Sequence, residues 1–479
     1  MNTQTREFGR IRSFLWPIHR FELRKFLPLF LINALIVFNY STLKSLKDSL
    51  VITARASGAE AIPFIKVWAI LPMAVLLTLL FTKLCNRFSQ ERIFYMVVGG
   101  FLAFFFLFAT ILYPLEDILH PHAMADALQA HLPTGFQGLI AVFRNWSFTL
   151  FYVMSELWGT MVMSVLFWGV ANALTSVTEA KRFYAILGVG ANLATVFAGR
   201  ITISLSQATF SSSLFGSDAW GQSLGFTTTV VIASGLAAMA LFRWYITQNG
   251  TDTASASAKP AGKTKMSLKK NFAYLAQSRY LLCIAIIVVA FHLAMNMVEI
   301  IWKDQIKAIY PNPTAFAGYM GRVTMATGML STCVGLFACN NLIRRFGWTV
   351  SALITPAILL ITGAIFFSLI LIDNTRLAPM TALFGITPAA LCILFGSIQN
   401  IFSRASKFTL FDATKEIAFI PLSPESKIKG KAAIDGVVSR LGKSGGSMVH
   451  QGLLMVFGSV SMSSPIVAAF ILFVVFAWM

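Results

Sequence analysis

Long apolar runs recur along this chain, each able to form a helix that crosses a hydrocarbon layer of about 30 Å at about 1.5 Å per residue. Inside a bilayer a helix satisfies its own backbone donors and acceptors, so such a succession leaves a bundle of spanning helices as the fold. The first run starts near Phe26 (FLPLFLINALIVFNYSTLKSL), and the second is IPFIKVWAILPMAVLLTLLF. Others fall near 93–113, 141–172, 183–208 and 224–247, then 280–302, 314–338, 347–372, 383–411, 432–457 and 461–478. Twelve spans are expected. The chain is 57% hydrophobic and 12% charged, and a soluble chain carries roughly twice that charge.

The polar stretches divide this series. Residues 1–25 are basic and precede the first span, while residues 248–279 contain TQNGTDTASASAKPAGKTKMSLKK, small, polar and basic as a linker is. The expected plan is an N-terminal segment 1–25, a six-helix half 26–247, a linker 248–279 and a second six-helix half 280–479. Basic residues concentrate before span one and after the even-numbered spans, which places both termini in the cytoplasm. KLCNRFSQER after span two has a counterpart in NLIRRFGW after span eight, and TSVTEAKRF after span four in SPESKIKGK after span ten. Two parallel six-helix halves are the plan of the major facilitator superfamily, whose site lies between the halves.

A charge near mid-bilayer costs about 2.5–3.5 kcal/mol even on lenient scales, so charges within the spans mark functional positions. Glu156 falls near the middle of its span. Glu299 and Lys303, four apart, have the spacing of an intrahelical ion pair. Lys44 and Lys47 either snorkel to the interface or line a basic cavity, and Lys66 opens the second span. Arg322, among small and apolar neighbours, offers a donor fork suited to phosphate oxygens. Arg404, Lys407 and Lys415 follow late in span ten. Together these bases suit a polyanion, in keeping with a net charge of +19. Tyr152, Trp158 and Trp168 stack a ring or pack the helices; Asn172 and Asn400 bond a ring edge or a neighbouring helix.

Other chemistries find little support. Cys85, Cys283, Cys333, Cys339 and Cys392 lack ligand spacing and read as packing residues. His120 and His122, split by a proline, read as part of a solvated loop without a compact third ligand. LGKSGGS at 441–447 mimics the tail of a phosphate loop but lacks the required glycine at position 437, which is valine. No enzyme, cofactor, metal or nucleic-acid partner is expected. A receptor or scaffold without flux is the contrasting class.

Four stretches carry a family resemblance: GAEAIPFIKVW, FYVMSELWGTMVMSVLFWGVANALTSVTEAKRFYAILGVGANLA, FDATKEIAFIPL and KIKGKAAIDGVVSRLGKSGG. They resemble the nucleotide transporter family, the ATP/ADP translocases of obligate intracellular bacteria such as chlamydiae and rickettsiae and of plant plastids. The resemblance implies a monomeric carrier in the inner membrane of an intracellular bacterium, importing host ATP in exchange for ADP, with phosphate as a further candidate ligand. It implies transport roles for the lysine of the IPF.K.W motif, here Lys66, and the glutamate of YVM.ELW, here Glu156. Glu299, before the W-K pair, and Lys415, in TKE, are implied likewise. The family also includes proton-coupled net importers of nucleotides and NAD carriers, which stay open as alternatives.

Overall fold

The computed structural model describes residues 18–211, 218–248, 278–383, 385–422, 430–431, 433–434 and 438–479. Almost all of the expected linker, residues 249–277, lies outside them. The described residues are helical nearly throughout. Before the linker run α1 Leu23–Ile52, α2 Ala61–Arg87, α3 Gln90–Leu112, α4 Trp146–Asn172, α5 Val177–Ser206 and α6 Ala219–Gln248. After it come α7 Arg279–Ile309, α8 Pro313–Cys333, α9 Arg345–Leu371, α10 Pro388–Ser406, α11 Ser439–Phe457 and α12 Val460–Trp478.

Nine helices among the described residues are long and apolar enough to cross a membrane. α8, α10 and α11 are the long helices that fall short, and their composition shows why. α10 buries Gln399, Asn400 and Ser403, and α11 buries His450 and Gln451, so their polar side chains face protein instead of lipid.

α1 and α7 form the centre. α1 is tied to its neighbours by polar side chains that reach helix backbones: Asn33 donates to Leu187 O of α5 at 3.0 Å and Asn39 to Val231 O of α6 at 3.0 Å. Trp158 of α4 donates to Ile36 O of α1 at 3.1 Å. In a low-dielectric interior such bonds fix helix rotation as well as position. α7 packs against α10, α11 and α12.

The two sets of helices meet most extensively where α5 crosses α8. A Cβ on Gly199 would sit 2.5 Å from Met325 N and 2.6 Å from Gly321 O, so glycine is what lets these backbones touch. α9 begins at a sharp break, where Gly347 has φ 76°.

The end of the bundle where α1 and α7 finish, at Ile52 and Ile309, is called here the upper end. It carries a folded cap in the 113–145 connection, where a wholly solvated loop is the sequence expectation. Helices His122–His131 and Gln137–Arg144 hold it. The His120 ring, buried, bonds Ser147 Oγ at 2.7 Å, and the buried Arg144 guanidinium pairs with Asp126 at 2.5 Å. Burial pushes His120 down to about 4, with His122 acting the same way. Beside it, burial pushes Glu116 up to about 7, helped by Asp117 and Asp218. No group of three or more metal-ligating side chains occurs among the described residues.

Candidate functional site

Charged side chains from four helices converge in the middle of the bundle. The Lys47 ammonium on α1 pairs with Glu156 Oε1 of α4 at 2.8 Å and lies 3.3 Å from Asp48 Oδ1. It also sits over the Tyr152 ring, 3.5 Å from the centroid, a cation–π contact in a desolvated place. On α7, Lys303 pairs with Glu299 at 2.7 Å and with Asp48 Oδ2 at 2.7 Å. Arg404 of α10 closes the chain on Glu299 Oε1 at 2.9 Å. Three carboxylates and three cations are thus joined in one continuous series from Glu156 to Arg404.

Exposure grades along this series. Asp48 and Lys303 are sealed, at 0% and 1% exposed, and Lys47 is equally buried. The side chains of Glu156, Glu299 and Arg404 keep 28%, 15% and 16%. The series therefore has a dry upper part and a wetted lower part.

Lys66 adds a seventh charge. It is half-buried, and its ammonium donates to the neutral amide oxygen of Asn296, across the two sets of helices. Asn296 is held by bonds to Lys443 O at 2.8 Å and Ser447 Oγ at 2.7 Å. With the carboxylates matched one for one by Lys47, Lys303 and Arg404, Lys66 is additional positive charge close enough to act on Glu299 and Glu156, and Lys443 is a further cation acting on Glu156.

The helices around these residues depart from α geometry. π turns run over Ile65–Ile70, containing Lys66; over Gly159–Phe167, three residues after Glu156; and over Lys407–Phe411, three after Arg404. Such insertions re-aim the side chains beside them and concentrate at functional sites.

The structure thus brings together Lys47, Lys66, Glu156 and Glu299 of the expected residues. The predicted Glu299–Lys303 pair is present, and Lys47 lines the interior instead of snorkelling, because α1 continues to Ile52. Lys44 is half-buried one turn earlier on α1. Asn400 is buried; its Nδ2 donates to Gly396 O at 3.0 Å while its Oδ1 finds no partner.

Three expected residues lie apart. Lys407 turns to Asp412 at 3.1 Å, and Arg404, three residues earlier, takes the place in the series. Lys415 is in the last turn of the α10 extension Asp412–Ala418, about 16 Å along the axis from Arg404. Arg322 is exposed on another face of α8, lining a pocket with Ser206, Gln207, Tyr310 and Tyr319 at the upper end. LGKSGGS lies within α11, so it forms no phosphate-binding loop.

Asp48 and Asn296 are the site residues that sequence reasoning passed over, while Arg404 is one of the bases it grouped for a polyanion. One signal was available: the Lys-Asp pair 47–48 recurs at 303–304, and Lys66 recurs as Arg322, each at the same interval of 256 residues (47 to 303, 66 to 322).

Comparison with known proteins adds three findings. The family model described as TLC ATP/ADP transporter matches residues 1–479. The ADP,ATP carrier protein 1 of Chlamydia pneumoniae is 46% identical over 484 aligned residues, covering 100% of this chain and 93% of the relative. The chloroplastic ADP,ATP carrier protein 2 of Arabidopsis thaliana is 42% identical, covering 95% of this chain and 73% of its own length. Among solved structures, a D-xylose-proton symporter superposes with TM-score 0.57 at 11% identity, covering 95% of this chain and 97% of that one. At that identity the likeness concerns the fold alone, a bundle of long helices.

Proposed function

This chain belongs to the TLC ATP/ADP transporter family, and on that basis we propose that it is a carrier, not an enzyme, that exchanges ATP for ADP by alternating access. It is a multi-pass membrane protein. We read α8, α10 and α11 as spans too, giving twelve, with halves 26–247 and 280–479 joined by the segment 248–279. The inner membrane of a bacterium, cytoplasmic termini and a monomer complete the reading.

The observation that carries it is the pairing state of the central charges. Asp48, Glu156 and Glu299 serve as internal counterions to Lys47, Lys303 and Arg404. A nucleotide brings about three or four negative charges into the same space. Its phosphate oxygens compete with Glu156 for Lys47 and with Glu299 for Arg404, whose planar fork suits phosphate. Lys66, without a carboxylate of its own, is the first cation available to them. Asn400, with its unpartnered Oδ1, offers the ring edge an acceptor.

Exchange follows from this competition. Once the nucleotide leaves, the carboxylates return to the cations and the bundle settles back to the linked state. Uptake of radiolabelled ATP by proteoliposomes whose lumen holds ADP, phosphate or neither tests the reading. ATP uptake should require internal ADP. Uptake into empty vesicles driven by a proton gradient would replace it with net proton-coupled import.

A further inference from the structure

The Lys-Asp pairs of α1 and α7 occupy corresponding places, and that equivalence permits two links between the helix sets: Asp48 with Lys303, or Lys47 with Asp304. The described contacts use the first. Asp48 Oδ2 and Lys303 Nζ are 2.7 Å apart and sealed from water, whereas Lys47 turns to Glu156, and Asp304 Oδ2 accepts a bond from Ser461 Oγ at 3.2 Å.

This link belongs to a seal at the upper end. Lys307 donates to Ser57 O, Gln451 Nε2 donates to Pro63 O at 2.8 Å, and the Gly135 backbone meets that of Met455. All three contacts join the helices before the linker to those after it. At the lower end, Lys25–Glu179, Arg182–Glu22, Tyr280–Ala418 and Trp348–Thr414 each join helices of one set. Among the described contacts, closure is at the top, and Asp48–Lys303 is the part of it connected through salt bridges to the wetted charges.

Lys303 is shared by two carboxylates at equal distance, Asp48 and Glu299, and Glu299 is itself shared with Arg404. Asp48 likewise lies beside Lys47, which Glu156 holds. A phosphate that occupies Arg404 takes that partner from Glu299, which then falls wholly to Lys303 on its own helix. Asp48 keeps Lys47, 3.3 Å away on its own helix and shared with the partly wetted Glu156. The bridge between the sets can dissolve without leaving a buried charge unpaired, a state whose cost otherwise holds such a pair closed.

We infer that Asp48 and Lys303 form a latch on the upper side which the anionic substrate releases by re-pairing the charges within each helix set, so that the empty carrier cannot open upward. Asp48 is a positioning residue in this scheme. The inference rests on the exchange reading and extends it by naming the residues that make exchange obligatory.

The test compares Asp48→Asn with Asp48→Glu and Asp304→Asn in proteoliposomes. Asp48→Asn should raise ATP uptake into unloaded vesicles at least about tenfold over wild type, since the bias toward the closed state is weakened. Asp48→Glu should restore dependence on internal ADP, and Asp304→Asn should keep it. A second arm needs no transport. With the native cysteines replaced by serine, Ser45→Cys, one turn below the latch, is treated with a membrane-impermeant thiol reagent from the upper side. It should react in the Asp48→Asn background and, with Asp48 intact, only when ATP is present. Strict ADP dependence together with a protected thiol at position 45 in Asp48→Asn would overturn the latch. A wild-type protein that shows no exchange would overturn the functional reading instead, and the labelling arm would still decide the latch.

Discussion

Replacing Lys66 by methionine should weaken nucleotide binding without unfolding the protein, a combination that few buried lysines would give. The Lys66 ammonium bonds a neutral amide and forms no ion pair among the described residues, so its loss breaks no salt bridge while removing a positive charge that acts on Glu299 and Glu156. One charge-assisted hydrogen bond to a phosphate contributes about 1.5–3 kcal/mol, or about a 10- to 150-fold rise in Kd for ATP. Stability moves much less. The Asn296 oxygen loses its donor, but the cost of holding an unpaired ammonium away from bulk water goes with it, for a net change under about 1 kcal/mol. Lys407→Met is the control, because Lys407 already serves Asp412 outside the central series; its effect on Kd should stay within about threefold. Titration calorimetry in nanodiscs at fixed salt gives Kd, and thermal unfolding of the same samples gives stability. Unchanged ATP affinity in Lys66→Met, or an equal loss in Lys407→Met, would refute the placement of the surplus charge.

Three more expectations follow from single contacts. Lys303→Met leaves Asp48, Glu156 and Glu299 with only Lys47 and Arg404 between them, one carboxylate in excess in a buried series, and should cost about 3–5 kcal/mol of stability, while the double variant Asp48→Asn/Lys303→Met should recover most of it; denaturant unfolding of the two variants measures the difference. Gly199→Ala places a methyl group against backbone atoms of α8 and should cost about 1–3 kcal/mol, read in the thermal midpoint, while loosening the α5–α8 crossing. Glu116, in the cap, has a folded pKa of about 7 against an ordinary 4.5, so the native state binds the extra proton and stability falls as pH rises between those values. Its neighbours Asp117 and Asp218 add to the effect, and His120, His122 and Arg55 line the same pocket. Hydrogen exchange of the 116–119 helix should quicken across that window in wild type and lose that dependence in Glu116→Gln.

The sequence makes the bundle legible because lipid-facing helices must be apolar along their length, and α2, α3 and α7 read that way without ambiguity. It also marks Glu156 and Glu299, since a carboxylate mid-span has few uses other than an interior one. Rotation about each helix is harder to read. Arg404 and Lys407 are three residues apart, about 300° around an α-helix, and nothing in their local sequence says which of them faces Glu299. The π turns compound this. They shift the phase beside Lys66, Glu156 and Arg404, so a period of 3.6 residues carried across them points to the wrong face. Arg322 matches Lys66 in sequence position yet lies on an exposed face, a difference set by how α8 turns against α5. Asp48 escapes notice for another reason: close to the end of a span, a charge reads as an interface residue, and only the partner on α7 reveals it as buried. The cap is hidden because its fold depends on Arg144 and His120 finding Asp126 and Ser147, contacts without a periodic signature.

The most direct test of the account follows both nucleotides in the same vesicles. Proteoliposomes loaded with one radiolabelled ADP are given ATP carrying a second label, and influx and efflux are recorded together, with and without external nucleotide. One ADP should leave for each ATP that enters, ADP should be retained when no nucleotide is outside, and both fluxes should fall together in Lys66→Met. ADP efflux without external nucleotide, or ATP influx without matching efflux, would contradict obligatory exchange.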